Sequence, residues 1–188
     1  MGNTATNVTT GKPNIAGAVF TAPIGTTLPT DATTALDGAF VCLGYVSEDG
    51  LKNNNELSVE AIKAWGGNIV YRSLTEMNDE FSLSLIETEN VDVLKTVYGE
   101  DHVSVDADNN VDVDVVGEDP IERIWVFELA LRGGKAKRIV VPDGAITSRD
   151  EISYTDSDAV AYGITISAYP DSTASTHKEY LEGDTTTM

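Results

Sequence analysis

The sequence predicts a mainly β protein, an antiparallel β-sandwich or barrel with one short flanking α-helix. Three observations carry this. Apolar and polar residues alternate with a period of two along many short segments, the pattern of half-buried antiparallel strands. Turn-forming pairs of Gly, Asn and Asp separate those segments. One segment breaks the period and sets its apolar residues at helical spacing. With 188 residues the chain fits one domain plus arms, enough to bury a core without disulfides.

The first 40 residues hold ten threonines and three prolines (Pro13, Pro23, Pro29), with only Lys12, Asp31 and Asp37 charged. A polar, proline-punctuated stretch of this kind predicts an N-terminal arm, residues 1–38, around one short strand from Ala16 to Ala22. In an assembly such an arm would lie on a neighbour. The β-domain follows over residues 39–170.

Within it, Leu57, Val59 and Ala61 alternate with Ser58, Glu60 and Ile62, and Ile69, Tyr71 and Ser73 with Val70, Arg72 and Leu74. Phe81, Leu83 and Leu85 alternate with serines. Trp125, Phe127, Leu129 and Leu131 share one face of a strand, and Val160, Tyr162, Ile164, Ile166 and Ala168 one face of another. Gly66-Gly67, Asn78-Asp79, Asp108-Asn109-Asn110, Gly133-Gly134 and Asp143-Gly144 read as the turns between them. About nine or ten strands result, as a sandwich or barrel requires.

The helix falls at about residues 90–98: Val91, Leu94, Val97 and Tyr98 are helically spaced, Asn90 suits the N-cap and Gly99 the C′ position. Residues 171–188 read as a C-terminal arm, with a helical turn over Ser175 to Glu182.

Charge is the strongest compositional signal. Twelve Lys and Arg against 31 Asp and Glu give −19 at pH 7, which excludes gripping a phosphate backbone through counterion release. From Glu76 to Glu128 there are sixteen acids and only two bases, Lys95 and Arg123. Arg132, Lys135, Lys137 and Arg138 then crowd the Gly133-Gly134 turn. Such segregation repels itself in a monomer and suits a subunit whose basic tip meets a neighbour's acidic wall. Arg132, Lys135, Lys137 and Arg138 are therefore candidate intersubunit contacts. Trp65 is either the last core residue of its strand or an interface anchor. No run of 18 apolar residues exists, and Met1-Gly2-Asn3-Thr4 lacks the basic start of a signal peptide, so no membrane contact is expected and folding in a cytoplasm is.

Catalytic chemistry is not expected. There is no phosphate loop, dinucleotide fingerprint or Gly-x-Ser-x-Gly elbow. The lone Cys42 reads as a small buried hydrophobe, and His102 and His177 have no partnering motif around them. Asp106 to Asn110 imitates the start of a calcium loop, but Val111 stands where glycine is required and Gly117 where a bidentate glutamate belongs. Neither a metal nor a cofactor is expected.

Several runs in order carry a resemblance. Ala18-Val19-Phe20-Thr21-Ala22-Pro23-Ile24-Gly25-Thr26-Thr27-Leu28-Pro29 is followed by Gly44-Tyr45-Val46-Ser47-Glu48-Asp49-Gly50-Leu51 and Ile62-Lys63-Ala64-Trp65-Gly66-Gly67. Then come Phe81-Ser82-Leu83-Ser84-Leu85-Ile86-Glu87 and the helix ending Tyr98-Gly99. This order resembles the major tail tube proteins of long, non-contractile-tailed bacteriophages, over most of residues 15–100 by motif and beyond by strand pattern. The resemblance implies a virion tail protein assembled in the bacterial host cytoplasm, forming hexameric rings stacked as a tube. Its partners would be further copies of itself, a tape-measure protein and tail-tip or terminator proteins. Genomic DNA would pass through the lumen without specific binding. Some relatives carry a C-terminal immunoglobulin-like domain, which is not expected here.

On that picture an acidic bore repels DNA phosphates and lets the duplex slide. The hairpins over Glu56–Glu87 are expected to supply much of the lumen wall, with Glu60, Glu76, Asp79 and Glu80 as candidate lumen acids. The alternative is a non-enzymatic carbohydrate-binding or adhesive β-sandwich. It would want a platform of exposed aromatics, and the thirteen aromatics fall mostly on core-facing strand positions.

Overall fold

Residues Arg123 to Phe127 are buried at every position, so this stretch is covered on both faces rather than one. That places their strand at the centre of the molecule. The computed structural model describes residues 5, 8–14 and 17–183. Its strands are β1 (Lys12–Pro13), β2 (Val19–Pro23), β3 (Val41–Cys42), β4 (Lys52–Lys63), β5 (Ile69–Leu85), β6 (Val103–Val105), β7 (Val111–Val113), β8 (Glu122–Ala130), β9 (Ala136–Arg149), β10 (Tyr162–Ala168) and β11 (Lys178–Leu181), with helix α1 (Val91–Tyr98) between β5 and β6. Among the described residues nine strands form one antiparallel sheet, with path β3-β2-β8-β9-β10-β5-β4, β1 joining β8 and β11 joining β9. β6 and β7 make a separate hairpin.

The sheet folds over on itself. β5 lies three strands from β8 along the path, which in a flat sheet is about 14 Å. Yet the rings of Phe81 on β5 and Phe127 on β8 stack with centroids 5.2 Å apart. The main core sits inside this fold: Phe81, Leu83, Leu85, Trp125, Phe127, Val141, Ile164 and Ile166, closed at one side by Val93 and Val97 of α1. Trp125 buries its indole there and donates Nε1–H to the Gly144 carbonyl at 2.9 Å. On the outer face of the sheet Ile124, Val126 and Val140 form a second cluster, covered by Phe20, Leu28, Leu36, Phe40 and Tyr180.

That second cluster corrects the reading of the N-terminal arm. Leu28, Leu36 and Phe40 pack on the chain's own sheet, and Asp31 accepts hydrogen bonds from the Thr33 and Thr34 backbone to hold the segment in shape. Arg138 ties it down further, pairing with Glu128 at 2.5 Å and donating Nη1–H to the Asp31 carbonyl at 2.9 Å. The predicted strand of residues 16–22 is found at Val19–Pro23; Ala16 lies outside the described residues, as do residues 184–188 of the C-terminal arm.

Three further expectations give way to tertiary structure. Asn78-Asp79 is no turn: β5 runs through it, with Asn78 opposite Glu56 and Asp79 opposite Asn55. Asp143-Gly144 is likewise inside β9, where Ile124 opposes a bulge at Pro142-Asp143 and a Cβ on Gly144 would press within 3.1 Å of Val141. Ser175 to Glu182 is not helical. Lys178–Leu181 pairs with β9 from Val140 to Lys137, and the edge it completes outweighs the helix propensity of Lys, Glu and Leu.

The helix agrees with expectation. Asn90 Oδ1 caps it by accepting from Asp92 N–H at 3.0 Å, and Gly99 ends it at φ +102°. Glu87 locks the entry, accepting from Asn90 Nδ2 and from Tyr45 N–H. Its carboxylate fills the space beside Gly44, where φ is +74° and a Cβ would collide with it.

Candidate functional site

β10 accompanies β5 only as far as the Ser167–Glu80 pair. Beyond it β4 and β5 continue as a bare two-stranded hairpin that pairs with no other strand among the described residues. From Asp79 to Ile69 this arm extends about 33 Å at ~3.3 Å per residue. A two-stranded hairpin alone in water is marginally stable, and β4 presents a long open edge.

The register shows two unlike faces. Along β4 side chains alternate, and cross-strand partners share a face. One face holds Asn53–Phe81, Asn55–Asp79, Leu57–Met77, Val59–Leu74 and Ala61–Arg72, and so continues the core face outward. The other holds Asn54–Glu80, Glu56–Asn78, Ser58–Glu76, Glu60–Ser73 and Ile62–Tyr71. A bulge at Thr75, whose hydroxyl donates to the Ser58 carbonyl, shifts β5 by one residue and puts Leu74 with Val59. The result is an apolar face of Leu57, Val59, Leu74 and Met77, and an acidic face of Glu56, Glu60, Glu76 and Glu80. Leu57, Val59 and Leu74 are each more than half exposed. Among the described residues no other strand covers that apolar stripe, the signature of an interaction surface.

The candidate lumen acids divide accordingly. Glu60, Glu76 and Glu80 share the acidic face, joined by Glu56, which sequence reasoning did not single out. Asp79 does not belong with them. It is 3% exposed at the root of the hairpin, where Oδ2 accepts from Thr176 Oγ1 at 2.6 Å and from His177 Nδ1 at 2.5 Å. Asn53 Nδ2 donates to Oδ1 at 2.8 Å. Burial pushes the Asp79 carboxyl up, but the hydrogen bonds from Thr176, Asn53 and His177 outweigh it and hold it below the ordinary carboxylate value. This cluster anchors both strands of the hairpin to the segment leading into β11. His177 thus has a carboxylate partner, and His102 has another, lying 3.0 Å from Glu118. No sequence signal marks the first pair, whose members are 98 residues apart.

The candidate intersubunit contacts divide too. Trp65 stands fully exposed at the hairpin tip, at 107% of its reference area, which removes the core reading for it. Arg132 is exposed at the β8–β9 turn, while Lys135 beside it is half-buried. Lys137 pairs with Glu179 at 2.9 Å, and Arg138 is buried against Glu128. The four bases therefore do not form one outward patch: two of them hold the subunit's own strands together. Cys42 is half-buried beside the fully buried Leu43. Asp106 closes the β6–β7 turn itself, accepting from Asp108 and Asn110 N–H at 2.8 Å each.

The family model for phage tail tube proteins matches residues 2–188. No curated protein matches the chain. With the match running over nearly its whole length, the chain belongs to the phage tail tube family, and it is a structural component of a virion tail.

Proposed function

We propose that this chain is the repeating subunit of a siphophage tail tube, self-assembling in the bacterial host cytoplasm into hexameric rings that stack around a DNA-conducting lumen. The observation that carries the reading is the two-faced hairpin. Its apolar face and open β4 edge seek a neighbouring subunit, since strand addition removes an exposed edge and buries the stripe of Leu57, Val59, Leu74 and Met77. Its acidic face then points away from that contact. Ringed by symmetry, Glu56, Glu60, Glu76 and Glu80 make a bore that repels phosphate, so the duplex slides through without being held. A tape-measure protein fills the same lumen during assembly, and tail-tip and terminator proteins bound the tube at its ends.

Negative-stain electron microscopy of the purified protein at high concentration, paired with light-scattering mass, tests the assembly. Hollow rings or tubes of sixfold symmetry are expected. A compact monomer that never assembles, even with phage tail tips added, would sink the reading. The lumen assignment has its own test. Changing Glu56, Glu60, Glu76 and Glu80 together to Gln should slow DNA ejection from reconstituted phage, and unchanged ejection kinetics would count against an acidic bore.

A further inference from the structure

The hairpin tip differs in charge from the rest of the chain. Between Glu60 and Glu76 there are two bases, Lys63 and Arg72, and no acid, although the whole chain carries −19. The turn that presents Trp65 is held closed: Ala64 N–H donates to the Asn68 carbonyl at 2.8 Å and Gly67 N–H to the Ala64 carbonyl at 2.9 Å. Gly66 and Gly67 take φ of +110° and +92°, which other residues adopt only under strain. The indole is therefore displayed on an ordered, cationic turn. An aromatic anchor so displayed loses little conformational freedom on docking.

At the other end of β4 the body has an opening of matching character. A groove of about 690 Å³ is lined by the half-buried Val46, Leu51 and Leu129 over the buried Val19, Phe127 and Ile139, and its lip carries the exposed Glu48 and Asp49. Neither lip acid makes an ion pair among the described residues. Of the two lysines that line the groove, Lys137 is held by Glu179 at 2.9 Å and Lys12 stands exposed beside Pro13. At Glu48 and Asp49 the groove thus joins apolar lining to negative charge, complementary to an indole flanked by Lys63 and Arg72.

A subunit cannot fill its own groove. Leu51 and Asn53 line it at the root of β4, whereas Trp65 lies past the far end of that 12-residue strand, about 40 Å away at ~3.3 Å per residue. We infer that Trp65 of one copy docks into the Val46–Leu51–Leu129 groove of a second copy, with Lys63 meeting Glu48 and Asp49 at its lip. Tip and groove are different surfaces, so the contact is heterologous: each copy keeps a free tip and a free groove, and the contact repeats from subunit to subunit. This rests on the tube reading and adds to it the residues that fix one subunit on the next.

Two variants test it, each in a Cys42→Ser background under conditions where unaltered protein forms tubes. Ala64→Cys copies, which keep Trp65, are mixed with Asp49→Cys copies and oxidised. Disulfide-linked dimers are expected in the mixture and in neither protein alone. Separately, Trp65→Ala, which removes a fully exposed side chain, should keep the subunit's circular dichroism and raise the critical concentration for assembly about thirtyfold, as loss of an aromatic anchor does. Tubes that form at the usual concentration from Trp65→Ala, with no cross-link in the mixture, overturn the docking and leave the tube reading standing. Failure of the unaltered protein to assemble at all overturns the tube reading, and the docking with it.

Discussion

Two parts of the same strand behave in opposite ways. The proximal end of β5, from Phe81 to Leu85, alternates apolar with serine and buries every apolar residue. The distal end, with its partner β4, also alternates, yet there Leu57, Val59 and Leu74 are more exposed than buried. The two ends share a pattern and differ only in what lies opposite. Phe81 faces Phe127 across a sheet that folds over, whereas among the described residues no strand folds over Leu57 and Val59. Alternation thus reports that a face is to be covered; whether the cover is the same chain or another copy is decided elsewhere. The Asp79 cluster sits at the boundary between the two regimes and ties both hairpin strands to the segment before β11.

This contrast can be broken at several points. The largest effect is expected at the covered end. Trp125→Ala removes a fully buried indole and should cost about 3–5 kcal/mol of subunit stability in urea unfolding. A loss well under 1 kcal/mol would mean that the sheet does not close over this side chain.

At the boundary, Asp79→Asn takes the carboxylate away from Thr176, His177 and Asn53 and should cost about 1–3 kcal/mol at neutral pH. The pH dependence has a definite sign. Because the folded carboxyl lies below its ordinary value, its contribution is complete above pH ~4 and is lost as pH falls through the folded value. Stability curves of the two proteins should therefore converge at low pH. A gap that stays constant down to the acid transition would rule out this ionised hydrogen-bonded cluster.

The smallest effect on the subunit is expected at the uncovered end. Leu57→Ser with Val59→Ser should change unfolding stability by less than about 0.5 kcal/mol per site, as surface substitutions do, while abolishing tube formation in light scattering. Destabilisation as large as that at Trp125 would show that the stripe is covered within the subunit after all.

What the sequence determined by itself was local. The β class, the Asn90 cap and Gly99 stop of α1, and the turns at Gly66-Gly67, Asp108-Asn109-Asn110 and Gly133-Gly134 all stand as read. Each depends on backbone preferences and side-chain hydrogen bonds within a few residues. The acids Glu60, Glu76 and Glu80 were legible as a group, although the shared face that unites them needed the ladder register and its bulge. Tertiary structure decided the rest. Asn78-Asp79 and Asp143-Gly144 have turn composition but lie in strands whose neighbours supply the missing hydrogen bonds. Lys178–Leu181 favours helix by composition and becomes a strand because β9 offers it an edge. Asp79 reads as a surface acid until Thr176 and His177 arrive from the far end of the chain, and Arg138 as a surface base until Glu128 and the Asp31 carbonyl enclose it. The physical reason is common to all of these. Backbone geometry is set by near neighbours, but burial, and with it the fate of every charge, is set by whatever surface the folded chain brings opposite.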